Sequence, residues 1–122
     1  MASRKPLNWA TETQEQITVA SYCDIMHIPM YHIPNEAKRS VVDGRIQNAM
    51  GRKKGVPDIC IPVARGGFHG LYIELKSLTG TPTKDQKEWI KLLTSEGYRA
   101  CVCYGADEAI NEIKTYLKGN KS

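Results

Sequence analysis

Apolar residues recur at three- and four-residue steps over 10–26, where Ile17, Val19, Tyr22, Cys23 and Met26 mark one side of an amphipathic helix that Thr11 is placed to cap. His27-Ile28-Pro29 breaks this period, and 30–33 alternates as a short strand closed by Pro34-Asn35. Val41, Val42, Ile46 and Met50 return to helical spacing over 40–50, although Gly44 weakens that helix by about 1 kcal/mol. A basic loop bracketed by glycines follows, Gly51-Arg52-Lys53-Lys54-Gly55. Next come an apolar run over 58–63 and strict alternation over 70–76. The turn Arg65-Gly66-Gly67-Phe68-His69 between them favours an antiparallel hairpin. Thr83 caps a third helix, with Gln86, Trp89, Ile90 and Leu93 at helical intervals, Asp85 near its positive end and Gly97 as its stop. A strand over 98–104 and a helix over 107–117, carrying Ala109, Ile110, Ile113, Tyr116 and Leu117, complete the chain. The order α-β-α-β-β-α-β-α predicts an α/β fold in which helices flank a small mixed sheet on both sides.

At 122 residues the chain is expected to form one domain, 1–122, with 1–8 and 118–122 as flexible tails. Hydrophobic residues at 41% and charged residues at 25% exclude collagen-like, mucin-like and disordered classes. No apolar run approaches the roughly 20 residues of a membrane-spanning helix, and no secretory leader is visible behind Met1. The expectation is a cytoplasmic protein without a membrane partner. Cys23, Cys60, Cys101 and Cys103 lie in apolar stretches, and the Cys-x-Cys pair lacks the spacing of zinc or redox motifs, so they read as small buried hydrophobes. His27 and His69 have no partners at metal-ligand spacing and read as surface residues, while Trp9 and Trp89 read as core.

Charge is unevenly distributed. Between positions 38 and 65, seven basic residues (Lys38, Arg39, Arg45, Arg52, Lys53, Lys54, Arg65) face two acids (Asp43, Asp58), a local excess of +5 in a chain of net charge +4. Such a stretch suits a polyanion such as a nucleic-acid backbone, although a solvated loop would look the same. Lys38, Arg39, Arg45, Arg52, Lys53 and Lys54 are the candidate phosphate contacts, which position a strand without reading its sequence.

Burying unpaired charge in a sheet is strongly unfavourable, yet Glu74 and Lys76 sit two apart on one strand and leave the same face. Alone this pattern also fits an edge strand facing water. Asp58, sixteen residues earlier behind Gly55-Val56-Pro57, changes the balance, because the hairpin brings it beside Glu74. Two carboxylates a few ångströms apart repel unless a cation lies between them, and oxygen-rich sites suit Mg²⁺ or Mn²⁺. A lysine there can orient a metal-bound water or offset charge on phosphate. Two acids and a lysine beside a basic segment describe a metal-dependent phosphodiesterase.

Gly55-Val56-Pro57-Asp58-Ile59, then Glu74-Leu75-Lys76, then Gln86 resembles the PD-(D/E)XK nuclease signature, and closely its virus-type replication-repair (VRR-NUC) branch. Thr11-Glu12 with Gln16, His32-Ile33-Pro34-Asn35-Glu36, Trp89 with Leu93, and Gly97-Tyr98 also fall where phage-type members carry similar residues. The resemblance implies a restriction-endonuclease-like core and a homodimeric DNA endonuclease acting on flaps, forks or four-way (Holliday) junctions, with no small-molecule cofactor. It implies that Asp58, Glu74 and the Leu75 carbonyl bind Mg²⁺ or Mn²⁺ and that Lys76 positions or activates the attacking water. Glu12 would complete the acidic cluster, and Gln86 would support it. Glu15, one turn after Glu12, is the alternative first-helix acid. His32, Asn35 and Glu36 could face either the DNA or the site. A phage-encoded chain would act in the host cytoplasm. Two rivals remain at this level: a non-catalytic DNA-binding or docking module, which would have no use for the trio, and an RNA-directed nuclease, since nothing here reads a 2′-hydroxyl.

Overall fold

The computed structural model describes residues 8–34 and 41–121, with side chains over 12–34 and 44–121. All eight elements appear in the expected order: α1 (Asn8–Ile25), β1 (Tyr31–His32), α2 (Val41–Ala49), β2 (Ile59–Ile61), β3 (Leu71–Lys76), α3 (Lys84–Ser95), β4 (Arg99–Tyr104) and α4 (Ala106–Leu117). The sheet runs β1-β2-β3-β4. β1 and β2 are antiparallel, β2 and β3 form the hairpin with Ile59 opposite Ile73 and Cys60 opposite Tyr72, and β3 and β4 are parallel. A parallel pair needs a crossover, which α3 supplies.

Along β3 the alternation separates two faces. Leu71, Ile73 and Leu75 join Ile59, Ile61 and Cys103 beneath Val19 and Cys23 of α1 and Ala106, Ala109, Ile113 and Tyr116 of α4, forming the apolar core. Tyr72, Glu74 and Lys76 leave the other face, where α3 reaches Glu74 through Gln86. β3 is an interior strand, so the edge-strand reading of Glu74 and Lys76 does not hold.

Two local expectations change, at Thr11 and at residues 118–121, while the stop of α1 before Pro29 is as expected. Thr11 is not a cap, because α1 starts at Asn8 and Thr11 lies inside its first turn. The helix stops through a backbone reversal: His27 takes φ 58, and Ile28 N–H donates to the Cys23 carbonyl at 2.8 Å. Residues 118–121 are not a free tail. Gly66 N–H donates to the Asn120 carbonyl at 2.7 Å and Arg65 bridges Lys121, while the Tyr116 hydroxyl donates to the Val63 carbonyl just before that turn.

Cys23, Cys60 and Cys103 are buried, Cys101 is half-buried, and all four are free thiols. His27 and His69 are exposed and Trp89 is half-buried; the Trp9 side chain lies outside the described set. No helix among the described residues is long and apolar enough to cross a membrane.

Candidate active site

Asp58 stands at the entry to β2 and Glu74 near the end of β3. The antiparallel register that pairs Ile59 with Ile73 carries the two acids to the same end of the hairpin. Pro57 is buried and fixes the approach to Asp58. The Leu75 N–H donates to Asp58 Oδ2 at 2.9 Å. In an extended strand the carbonyl of a residue leaves on the same side as its N–H, so the Leu75 carbonyl faces the same gap. On its other flank Asp58 is tied to β1: its own carbonyl accepts from Ile33 N–H at 2.7 Å and pairs with His32 Nδ1 at 3.0 Å. The Asp58 backbone is therefore held from β1 and its carboxylate from β3.

Glu74 is 3% exposed. Its Oε2 accepts from Gln86 Nε2 at 2.9 Å and lies 3.6 Å from Lys76 Nζ. Its Oε1 is buried with no hydrogen-bond partner. Burial first, and the neighbouring Asp58 charge second, push the Glu74 carboxyl up to about 8 against the opposing pull of Lys76. Burial also raises Asp58, with the Leu75 N–H and the charges of His32 and Lys76 working against it. Each carboxyl thus holds its proton more tightly than an isolated one, Glu74 the more so because the Asp58 charge adds to its burial.

Gln86 is aimed by the start of its own helix. Thr83 Oγ1 accepts the Gln86 N–H at 3.2 Å, and Gln86 Oε1 accepts the Thr83 N–H at 2.8 Å, a reciprocal capping box. With its oxygen committed to Thr83, the amide can present only its NH₂ to Glu74. The Thr83 cap was legible in sequence; that the same box orients Gln86 was not. Lys76 is flanked by Gly80, where a Cβ would come within 3.3 Å of the lysine Cδ.

The basic loop is drawn to this site. Gly55 has φ +88, and a Cβ there would meet the Asp85 backbone at 2.6 Å, so the loop lies directly on the first turn of α3. Lys53 and Lys54 are exposed on it, and Arg45 is exposed on α2. Arg52 turns back to Asn48 Oδ1 through Nε and a terminal nitrogen, each at 3.3 Å. Lys38, Arg39, Asn35 and Glu36 lie outside the described residues.

The first-helix acids have different surroundings. Glu15 Oε1 accepts the Ala106 N–H at 2.7 Å, at the start of α4, where Gly105 offers no side-chain cap. That bond gives Glu15 a structural role at a helix N-terminus. Glu12 is half-buried on the α1 stripe that continues through Gln16, Val19 and Cys23. Among the described residues no group of three or more His, Cys, Asp or Glu is placed to hold a metal. Of the three residues the sequence left undecided, His32 is on the site, paired with the Asp58 carbonyl.

The pair still fits a hard divalent cation. A buried carboxylate oxygen without a donor, a second carboxylate beside it and a backbone carbonyl facing the gap form an all-oxygen donor set.

A mixed sheet whose β2–β3 hairpin brings two acids and a lysine to one end is similar to the core of the restriction-endonuclease-like nucleases. The family model of the VRR-NUC domain matches residues 5–107. A solved structure described as a VRR_NUC domain protein is similar at TM-score 0.81 and 32% identity, over 97% of this chain and 94% of that one. Among the curated proteins no sequence matches. The chain belongs to the VRR-NUC nuclease family.

Proposed function

We propose that the protein hydrolyses DNA phosphodiester bonds with Mg²⁺ or Mn²⁺ as cofactor, at branched structures such as flaps and four-way junctions. The observation that carries this reading is the unpartnered Oε1 of buried Glu74 beside Asp58, because a buried charge pair of like sign is strongly unfavourable without a cation. Asp58, Glu74 and the Leu75 carbonyl would hold the ion, which supplies Lewis acidity and a more acidic bound water. Lys76 orients the attacking water or offsets negative charge on the phosphate oxygens. Gln86 keeps Glu74 turned toward the gap, and Lys53, Lys54, Arg45 and Arg52 take the phosphates on the side of the basic loop. The branched-substrate preference follows the family resemblance. Paired incision of a junction calls for two copies, so a two-fold homodimer belongs to the proposal; a solution mass near 13.7 kDa would remove that part.

The test is incubation of labelled linear and branched DNAs with Mg²⁺, Mn²⁺ or chelator, comparing the parent with Asp58→Ala and Lys76→Ala. Metal-dependent cutting that falls by about 10²-fold or more in each variant is expected. Cutting that persists in chelator or in both variants refutes the assignment. Retained DNA binding with no cutting by the parent would leave a binding module on a nuclease fold.

A further inference from the structure

Glu74 and Lys76 share their face of β3 with a band of aromatic residues that the reaction chemistry does not use. Tyr72 precedes Glu74 by two positions and so leaves the same face, roughly 7 Å further along the strand. Cys60 lies opposite Tyr72 and Tyr31 lies opposite Cys60, which sets the three side chains in a row across β3, β2 and β1. The phenols of Tyr31 and Tyr72 meet the Cys60 thiol. Tyr98 turns edge-on to Tyr72, with centroids 5.3 Å apart at 76°, and His69 stands against Tyr98 at 5.5 Å and 72°. Tyr98 also lies over Gly70, where a Cβ would stand in ordinary van der Waals contact with the ring at 3.5 Å.

None of these rings belongs to the apolar core or packs against it. Tyr31 is 50% exposed, His69 is exposed, and Tyr72 and Tyr98 are half-buried. The band contains no acid. The hairpin register places it on one side of the carboxylate pair and the loop that carries Lys53 and Lys54 on the other, because that loop precedes Asp58 and lies on α3 at Asp85. A strand crossing Glu74 would thus meet ammonium groups in one direction and aromatic rings in the other.

We propose that Tyr31, Tyr72, Tyr98 and His69 form a stacking subsite for unpaired bases of the DNA strand adjoining the bond to be cut, a proposal that rests on the nuclease reading. Aromatic rings accept any base by its π-face and favour unpaired over stacked bases, whereas lysines act on the phosphates of both. The step of roughly 7 Å from Glu74 to Tyr72 is about the reach of one nucleotide in an unstacked strand. The subsite therefore selects for a frayed or flapped strand and leaves affinity for blunt duplex to the basic loop.

Tyr31 is the ring to vary, because it is the most exposed of the three tyrosines and lies on the edge strand. Equilibrium binding of the full-length chain in chelator is measured for a flapped duplex carrying 2-aminopurine in the flap and for a blunt duplex of the same sequence. Tyr31→Leu keeps the bulk and removes the π-face; it should weaken flap binding about tenfold and abolish the 2-aminopurine quenching, with blunt-duplex binding unchanged. Tyr31→Phe and Tyr31→Trp should bind the flap and quench as the parent does, which controls for folding. Equal losses on both DNAs, quenching that survives in Tyr31→Leu, or a changed sedimentation coefficient marking the band as a contact between copies would overturn the proposal. The nuclease reading fails separately: flap quenching without Mg²⁺-dependent cutting of any DNA keeps the subsite and removes the hydrolase, and cutting without quenching does the reverse.

Discussion

Replacing Glu74 by glutamine keeps the shape of the side chain and removes the charge that the fold holds unfavourably. The folded carboxyl releases its proton near 8, against an ordinary 4.5, so between these values the folded chain retains a proton that the unfolded chain has lost. Stability is therefore fully present below about pH 4.5 and declines as pH rises through 8. The difference of 3.5 units corresponds to about 5 kcal/mol at 1.36 kcal/mol per unit, an upper bound that belongs to the Asp58–Glu74 pair as a unit. In chelator, Glu74→Gln should match the parent at pH 5 and exceed it at pH 9 by about 2–4 kcal/mol, on the order of 10 °C in Tm for a chain of this size. Adding Mg²⁺ should raise the parent's Tm at pH 9 by mass action and leave the variant's almost unmoved, while the variant loses cutting. Urea or thermal denaturation across pH 5–9, with and without metal, reads all of this. A parent that grows more stable from pH 6 to 9 in chelator, or a variant less stable than the parent at pH 9, refutes the reasoning.

The other expectations are local. Glu15→Ala removes the acceptor at the start of α4 and should cost about 1 kcal/mol in urea denaturation while leaving DNA cutting intact, in contrast to Asp58→Ala. Gly55→Ala forces a Cβ onto the Asp85 backbone at positive φ; a loss of about 2–3 kcal/mol and a raised Mg²⁺ requirement should appear together in denaturation and metal-titrated cutting assays. Thr83→Ala opens the capping box, costs about 1 kcal/mol and frees the Gln86 amide to turn, so half-maximal cutting should need more Mg²⁺. His27→Gly relieves the left-handed residue that ends α1 and should stabilise by about 0.5–1 kcal/mol in thermal melts.

The elements, their order along the chain and the hairpin were legible in the sequence because each rests on local periodicity. The alternation at Tyr72, Glu74 and Lys76 against Leu71, Ile73 and Leu75 specifies two faces without reference to the rest of the chain. The first helix was placed two residues short because its apolar period begins only where it meets the core, whereas its backbone hydrogen bonding extends back to Asn8. Partners chosen across long separations were not legible. Glu12 and Glu15 are both acids on one helix, and what engages Glu15 is an N–H 91 residues away. His32 is engaged by a carbonyl 26 residues away, in a strand of two residues whose pattern carries almost no signal. Residues 118–121 looked like a polar end because their pairing with the 65–67 turn is made by backbone groups, to which side-chain composition is blind.

The reciprocal box at Thr83 and Gln86 has a bearing on how portable this chemistry is. A Glu-x-Lys strand and an aspartate grafted into a different sheet would carry three of the side chains but not the device that tells the glutamine which way to turn. That device is the opening turn of a helix, so it exists only once the crossover from β3 has been built. Anyone transplanting the centre would need to move the whole span from Asp58 through Gln86 as one piece, and unwinding one helical turn should switch the centre off without altering any of its acids.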